Sequence, residues 1–234
     1  MNVTSRRGFI TSTALATVAS ASALSTHAET AEDGDMRANA FNYQYSPAPL
    51  PFDPKRLNGL SAKLVQSHWE NNYGGAVKAL NATRTRLAQA LGDPNTPPYM
   101  YAGLKREQLM RTGSVVLHEA YFGNLGGSGK AGADIRAKIA ASFGSFDAWE
   151  SEFRKIGLGL AGGSGWVVLG LNRKLRLFEN YWMADHATGP IDTTPVLVMD
   201  MYEHAYQMDY GAAAAKYSDA MFANINWDAV SARL

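Results

Sequence analysis

Asp200 and His204 stand four residues apart in the run Asp200-Met-Tyr-Glu-His-Ala-Tyr206. Just before them lies Pro195-Val-Leu-Val-Met199. An aliphatic run between a Thr-Pro turn and an acid reads as a short buried strand. A carboxylate at the end of such a strand needs a partner, because burial strips its hydration. A metal ion shared by Asp200 and His204 would be one. Taken alone, the spacing reads more readily as a helix cap and a satisfied polar residue. The other histidines bear on the choice. The chain has five, and His27 falls in a segment that reads as a cleaved leader. His68, His118, His186 and His204 remain. Any one of them reads first as a core or loop histidine bonded to backbone. His68, His118 and His204 together, on otherwise apolar faces, read better as one shared site. Three neutral imidazoles and a carboxylate suit a first-row metal and leave a position open for a small ligand.

The elements that must carry these residues follow from periodicity. Leu60, Leu64, Val65, His68, Trp69, Asn72 and Tyr73 share one face of a helix expected from residue 61 to about 91. Gly74-Gly75 inside it predicts a weakening or kink of roughly 1 kcal/mol per glycine relative to alanine. Val77, Leu80, Leu87 and Leu91 extend the apolar stripe. A second helix is expected over about 104–125, with Met110, Ser114, Leu117, His118, Tyr121 and Leu125 facing inward. Gly126-Gly-Ser-Gly129 reads as a linker and domain boundary. Beyond it, short helices are expected at 135–141 and from Ser145. Strands at 166–169 and 174–181 join through a Gly-Leu-Asn-Arg turn, and a third spans 195–200. Helices close the chain at 212–224 and 227–234. The expected fold is α+β: a long-helix hairpin (49–127), then an α/β half with a three-stranded antiparallel sheet (128–234).

Composition narrows the classes. The 234 residues are 46% hydrophobic and 18% charged, with a formal net charge of +1. That is enough for one or two packed domains. No basic block points to nucleic acid. The absence of cysteine excludes disulfides, thiolate ligands and a cysteine nucleophile. Ser5-Arg-Arg-Gly-Phe-Ile10, a weakly apolar run to Ser25 and Thr26-His-Ala28 resemble a twin-arginine export signal. Cleavage after Ala28 is expected, with Ala23 as the other position, and periplasmic localisation follows. It would leave 20 basic against 21 acidic residues. Residues 29–48 read as a mobile lead-in. No other run approaches the roughly 20 apolar residues of a membrane span.

The chain presents, in order, Leu50-Pro-Phe52, Val77-Lys-Ala-Leu-Asn81, Ala141-Ser-Phe-Gly-Ser-Phe146, Gly163-Ser-Gly-Trp166 and Asp200-Met-Tyr-Glu-His-Ala-Tyr206, with one histidine in each long helix. This order of parts resembles the iron/manganese superoxide dismutases. The resemblance covers about residues 49–234. It implies one Fe or Mn ion per subunit, with a slight lean to Fe, on His68, His118, Asp200 and His204. The implied reaction is disproportionation of superoxide. His186 matches the loop position that bonds metal-bound solvent, while Ser114 takes the alternative helix position and is too short. Trp166 and Tyr202 would wall the site, and Asn72 follows the first ligand by four. Glu203 implies a homodimer through the ligand-histidine region. Three departures stand out: Ala76 replaces a gate tyrosine, Tyr202 a tryptophan, and Gln207 a tyrosine that bonds the partner. Ala76 implies an opened funnel and slower or differently inhibited turnover. A weakly active or inactive metal-binding relative, and another metal-dependent oxidoreductase using the space at Gly74-Gly-Ala76, are the alternatives.

Overall fold

The computed structural model describes residues 40–234. The expected leader and the first part of the lead-in lie outside them. Where described, the lead-in is anchored. Tyr45 N donates to Asn81 Oδ1 and Asn81 Nδ2 returns a bond to Tyr45 O, each 2.9 Å long. Trp69 Nε1 donates to Ala48 O at 3.0 Å.

The first long helix is made of α1 (Ala62–Ser67), a π segment (His68–Tyr73) and α2 (Gly74–Gly92). Ser61 caps it, accepting from Leu64 N at 3.1 Å. The irregularity expected at Gly74-Gly75 lies just ahead of those glycines. Gly74 N–H reaches back five residues to Trp69 O, the signature of a π turn. One extra residue in that turn shifts the phase of the helix between His68 and the α2 core residues Val77 and Leu80. Leu91, expected on the apolar stripe, is exposed in the last turn.

The second long helix, α3 (Pro98–Gly123), starts about two turns earlier than expected, because Pro97-Pro98 opens it. It packs along α2 and against β3. The Gly126–Gly129 stretch is no loose linker. Gly127 N and Gly129 N donate to Asn224 O and Ile225 O, each at 3.0 Å. A side chain at Gly127 would lie 2.3 Å from Ile225 O. These glycines are there for close backbone approach.

After α4 (Ala133–Phe143) and α5 (Phe146–Gly159), capped by Ser145, come β1 (Trp166–Asn172), β2 (Leu177–Met183) and β3 (Thr193–Asp200). The sheet is antiparallel in the order β2-β1-β3, as expected. The expected Gly170–Arg173 turn is displaced. Gly170 marks a register shift inside β1, and the chain reverses at 173–176. There Asn172 Oδ1 holds Leu175 N at 3.0 Å and Arg176 takes a positive φ of 55°. A 3₁₀ turn (Glu203–Ala205), α6 (Gln207–Tyr210), α7 (Ala214–Ala223) and α8 (Trp227–Ser231) complete the chain. Trp149, Trp166 and Phe153 are fully buried and join the sheet to the helices in one core.

Candidate metal centre

Four side chains from separate elements converge. His68 opens the π segment, His118 lies in α3, Asp200 ends β3, and His204 sits in the 3₁₀ turn just after it. One ligand atom from each lies within 4.8 Å of the others. Asp200 Oδ2 is 3.1 Å from His68 Nε2, 3.1 Å from His204 Nε2 and 3.7 Å from His118 Nε2. Asp200 is wholly buried, His68 and His118 nearly so, and His204 keeps a quarter of its side chain exposed.

Two of the four, His118 and Asp200, are held from behind. His118 Nδ1 is 2.7 Å from Ser114 O and 3.3 Å from Ser114 Oγ. The carbonyl can only accept, so Nδ1 carries the proton and Nε2 presents a lone pair to the cluster. Ser114 therefore orients a histidine, a role its short side chain did not suggest. Asp200 Oδ1 accepts from Tyr202 N at 2.8 Å, and Asp200 O accepts from Tyr217 OH at 2.7 Å. The Tyr217 ring stacks on Tyr206, and Tyr121 lies 5.3 Å from the His68 ring. Tyr217 was missed from sequence. A tyrosine with a buried hydroxyl on an apolar helix face is the signal that marks it.

The donor set fits a first-row metal. His68 Nε2 and His118 Nε2 are buried yet have no hydrogen-bond partner among the described residues, a costly state that an ion would relieve. Donors sharing an ion at about 2.0–2.2 Å must stand roughly 3–4 Å apart. The separations from Asp200 Oδ2 match that spacing.

The remaining candidates differ in placement. Trp166 Nε1 donates to His186 Nδ1 at 2.9 Å, so the neutral His186 ring carries its proton on Nε2. His186 lies 6.0 Å from the His118 ring. Tyr202 is stacked between His186 (4.9 Å, 12°) and His204 (5.2 Å, 16°). Asn72 is half-buried in the π segment, and its side chain forms no hydrogen bond with the four. Ala76 is only 3% exposed and belongs to the core. Packing closes the position, so the expectation of an opened funnel there is not met. Glu203 and Gln207 are exposed beside His204.

Burial dominates the electrostatics. It lowers His68 below the ordinary value of 6.5 and pushes His118 down to about 3, where the neighbouring His68 adds to it. Burial alone would raise Asp200, but the imidazoles of His204 and His68 outweigh it and hold the carboxyl below its usual range. A histidine with a depressed folded pKa contributes stability above its unfolded value and loses it as pH falls toward the folded value. The metal-free protein should therefore lose stability progressively below pH 6.5. The loaded protein should hold out to lower pH, since an ion competes with protons for the same nitrogens. Melting curves of both forms from pH 8 to 4 check this; a flat metal-free profile across that range would contradict it.

Comparison with known proteins adds an independent line. The family model described as iron/manganese superoxide dismutases, C-terminal domain, matches residues 131–233. The iron superoxide dismutase of Cupriavidus metallidurans is 47% identical over 189 residues, covering 81% of this chain and 95% of the relative. That of Aquifex aeolicus is 36% identical, covering 77% and 86%. A manganese superoxide dismutase of Haloferax volcanii is 29% identical, covering 82% and 95%.

Proposed function

The chain belongs to the iron/manganese superoxide dismutase family, and we propose that its reaction runs at one ion per chain held by His68, His118, Asp200 and His204. The reaction is disproportionation of superoxide to dioxygen and hydrogen peroxide. The observation that carries the ligand assignment is the pair of buried, unpartnered Nε2 atoms on His68 and His118, turned toward Asp200. Iron is favoured over manganese by the C. metallidurans and A. aeolicus relatives. When bound, the ion would supply a one-electron couple that accepts an electron from one superoxide and returns it to another.

Peroxide formation consumes two protons, and this chain's residues must bring them into a buried site. His186 is the group placed to do so. It is half-buried at the edge of the cluster, fixed by Trp166 on one nitrogen and carrying the proton on the other. Burial lowers its pKa, so near neutral pH it donates a hydrogen bond without adding a positive charge. Tyr202, stacked on both His186 and His204, limits rotation of the two rings. Its own hydroxyl is raised by burial and by the nearby Asp200 charge, so it stays protonated.

The test is metal content and superoxide consumption on the same purified sample. About one iron or manganese per chain with fast turnover supports the reading. Metal without turnover would instead favour a metal-binding relative, the alternative suggested by Ala76, Tyr202 and Gln207. The 47% identity to an iron superoxide dismutase disfavours that alternative. No metal after reconstitution with either ion would sink both.

Two further parts of this reading concern placement. The exposed Glu203, next to His204 and in the same short segment as Gln207, supports a homodimer through the ligand-histidine region. Arg6-Arg7 and the small residues at 26–28 support twin-arginine export to the periplasm. Arg6→Lys with Arg7→Lys should leave the protein in the cytoplasmic fraction with its activity intact. Cell fractionation reads this out, and periplasmic recovery of the double variant would remove the export assignment.

A further inference from the structure

The loop that carries His186 meets α3 at a point where no side chain fits. A methyl group in place of the Gly113 hydrogen would lie 1.7 Å from His186 O and 2.8 Å from its carbonyl carbon. Cβ atoms essentially never approach within 3.0 Å, so the His186 backbone would have to retreat by at least 1.3 Å. Gly103, in the same helix, has no neighbour among the described residues within 4 Å of such a methyl. Glycine inside a helix is destabilising relative to alanine. At Gly103 nothing described offsets that loss; at Gly113 the close approach of the loop does.

We propose that Gly113 is the positioning residue for His186: its missing side chain lets the loop lie directly on α3. There the His186 ring reaches Trp166 Nε1 (2.9 Å) and the vicinity of His118 (6.0 Å between rings). The inference rests on the role given above to His186. It also accounts for a feature of α3, in which Gly113 and Ser114 are adjacent small residues one turn before His118. With no long side chain on this stretch of helix, the group that completes the site comes from the loop. A largely apolar cavity of about 160 Å³, lined by Val116, Leu117, Val168, Met183 and Pro195, sits beside the contact. The loop thus has room to yield, and a Gly113 variant has a way to fold with His186 displaced.

The experiment compares Gly113→Ala, His186→Ala, the double variant and Gly103→Ala as metal-loaded enzymes. Metal content, kcat, KM and a crystal structure are the readouts. Gly113→Ala should keep its metal, lengthen the Trp166–His186 bond past hydrogen-bonding distance and lower kcat roughly ten- to a hundredfold. The double variant should be no slower than His186→Ala, and Gly103→Ala should match the wild type. If His186→Ala is slow but Gly113→Ala turns over like the wild type, the proposal is overturned. If His186→Ala itself matches the wild type, the role given to His186 fails. The bond length in the Gly113→Ala crystal then decides the positioning claim alone: an unmoved loop overturns it. Should Gly113→Ala fail to fold, adding Pro190→Gly frees the far end of the loop and permits the same comparison.

Discussion

Asp200→Ala should yield a protein with almost no bound iron or manganese and superoxide consumption lowered roughly a thousandfold or more. Changes to the partners of a ligand typically lower metal affinity or activity about 10–100-fold, and losing the ligand itself exceeds that. Asp200 is the one carboxylate in the cluster and is completely buried. Without it, three imidazoles face one another with no anionic group to offset the charge of an ion. Stability should fall too. Removing one partner of a buried charged set is destabilising by about 3–5 kcal/mol. The stabilisation from metal binding, about 4 kcal/mol at a thousandfold excess over Kd, disappears with it. Asp200→Asn separates these effects. It keeps an acceptor for Tyr202 N–H and the shape of the side chain, yet lacks the charge. It should fold better than the alanine variant and still bind metal poorly. Metal analysis, a melting curve and a superoxide assay on each variant suffice. One ion per chain in Asp200→Ala would refute the ligand assignment.

His186→Ala should do something different: retain the metal and lose turnover by about a hundredfold. A positioned proton donor typically contributes 10²–10⁴ in rate, and the lower end fits a group acting beside solvent. The ring is outside the cluster of His68, His118, Asp200 and His204, so its loss removes none of the proposed donors. It does remove the acceptor of the Trp166 Nε1 bond and one face of the Tyr202 stack. His186→Gln, which restores a hydrogen-bonding side chain, should recover part of the rate. A partial rescue separates a hydrogen-bonding role from a packing role, since Tyr202 would lack the His186 ring on one face in both variants. Wild-type turnover in His186→Ala at full metal occupancy would show that the loop histidine takes no part.

Much of this protein is readable in one dimension. The long helices announce themselves through apolar residues at helical spacing, and the burial of Leu64, Val65, His68, Leu80, Leu117 and His118 follows that pattern. The third strand and its terminal Asp200 were visible as an aliphatic run ending in an acid. The four candidate ligands could be proposed because His68 and His118 stand on otherwise apolar helix faces, Asp200 ends an aliphatic strand with His204 four residues on, and the order of parts resembles a metal-dependent family. Boundaries fared less well. Gly170 and Gly127 were read as turn and linker residues and serve close packing instead, and Gly113 drew no reading at all. Local sequence registers that a glycine is permissive, and it leaves open what comes near it.

By itself, then, the sequence determined the type and order of the elements, the chemistry of the donor set and its place in the elements, because periodic burial and residue type are local properties. Tertiary structure decided the rest. It set the π turn before α2, the Ser114 carbonyl that orients His118, and the Tyr217 hydroxyl on the Asp200 carbonyl. It also closed the packing over Ala76 and brought the His186 loop onto Gly113. The π turn and the Ser114–His118 bond lie within single helices, where periodicity left the hydrogen-bond partner open. The Tyr217, Ala76 and Gly113 contacts depend on distances between segments far apart in the chain. Such distances are set by how side chains of given volume fill the space between elements at close packing, which no single segment contains.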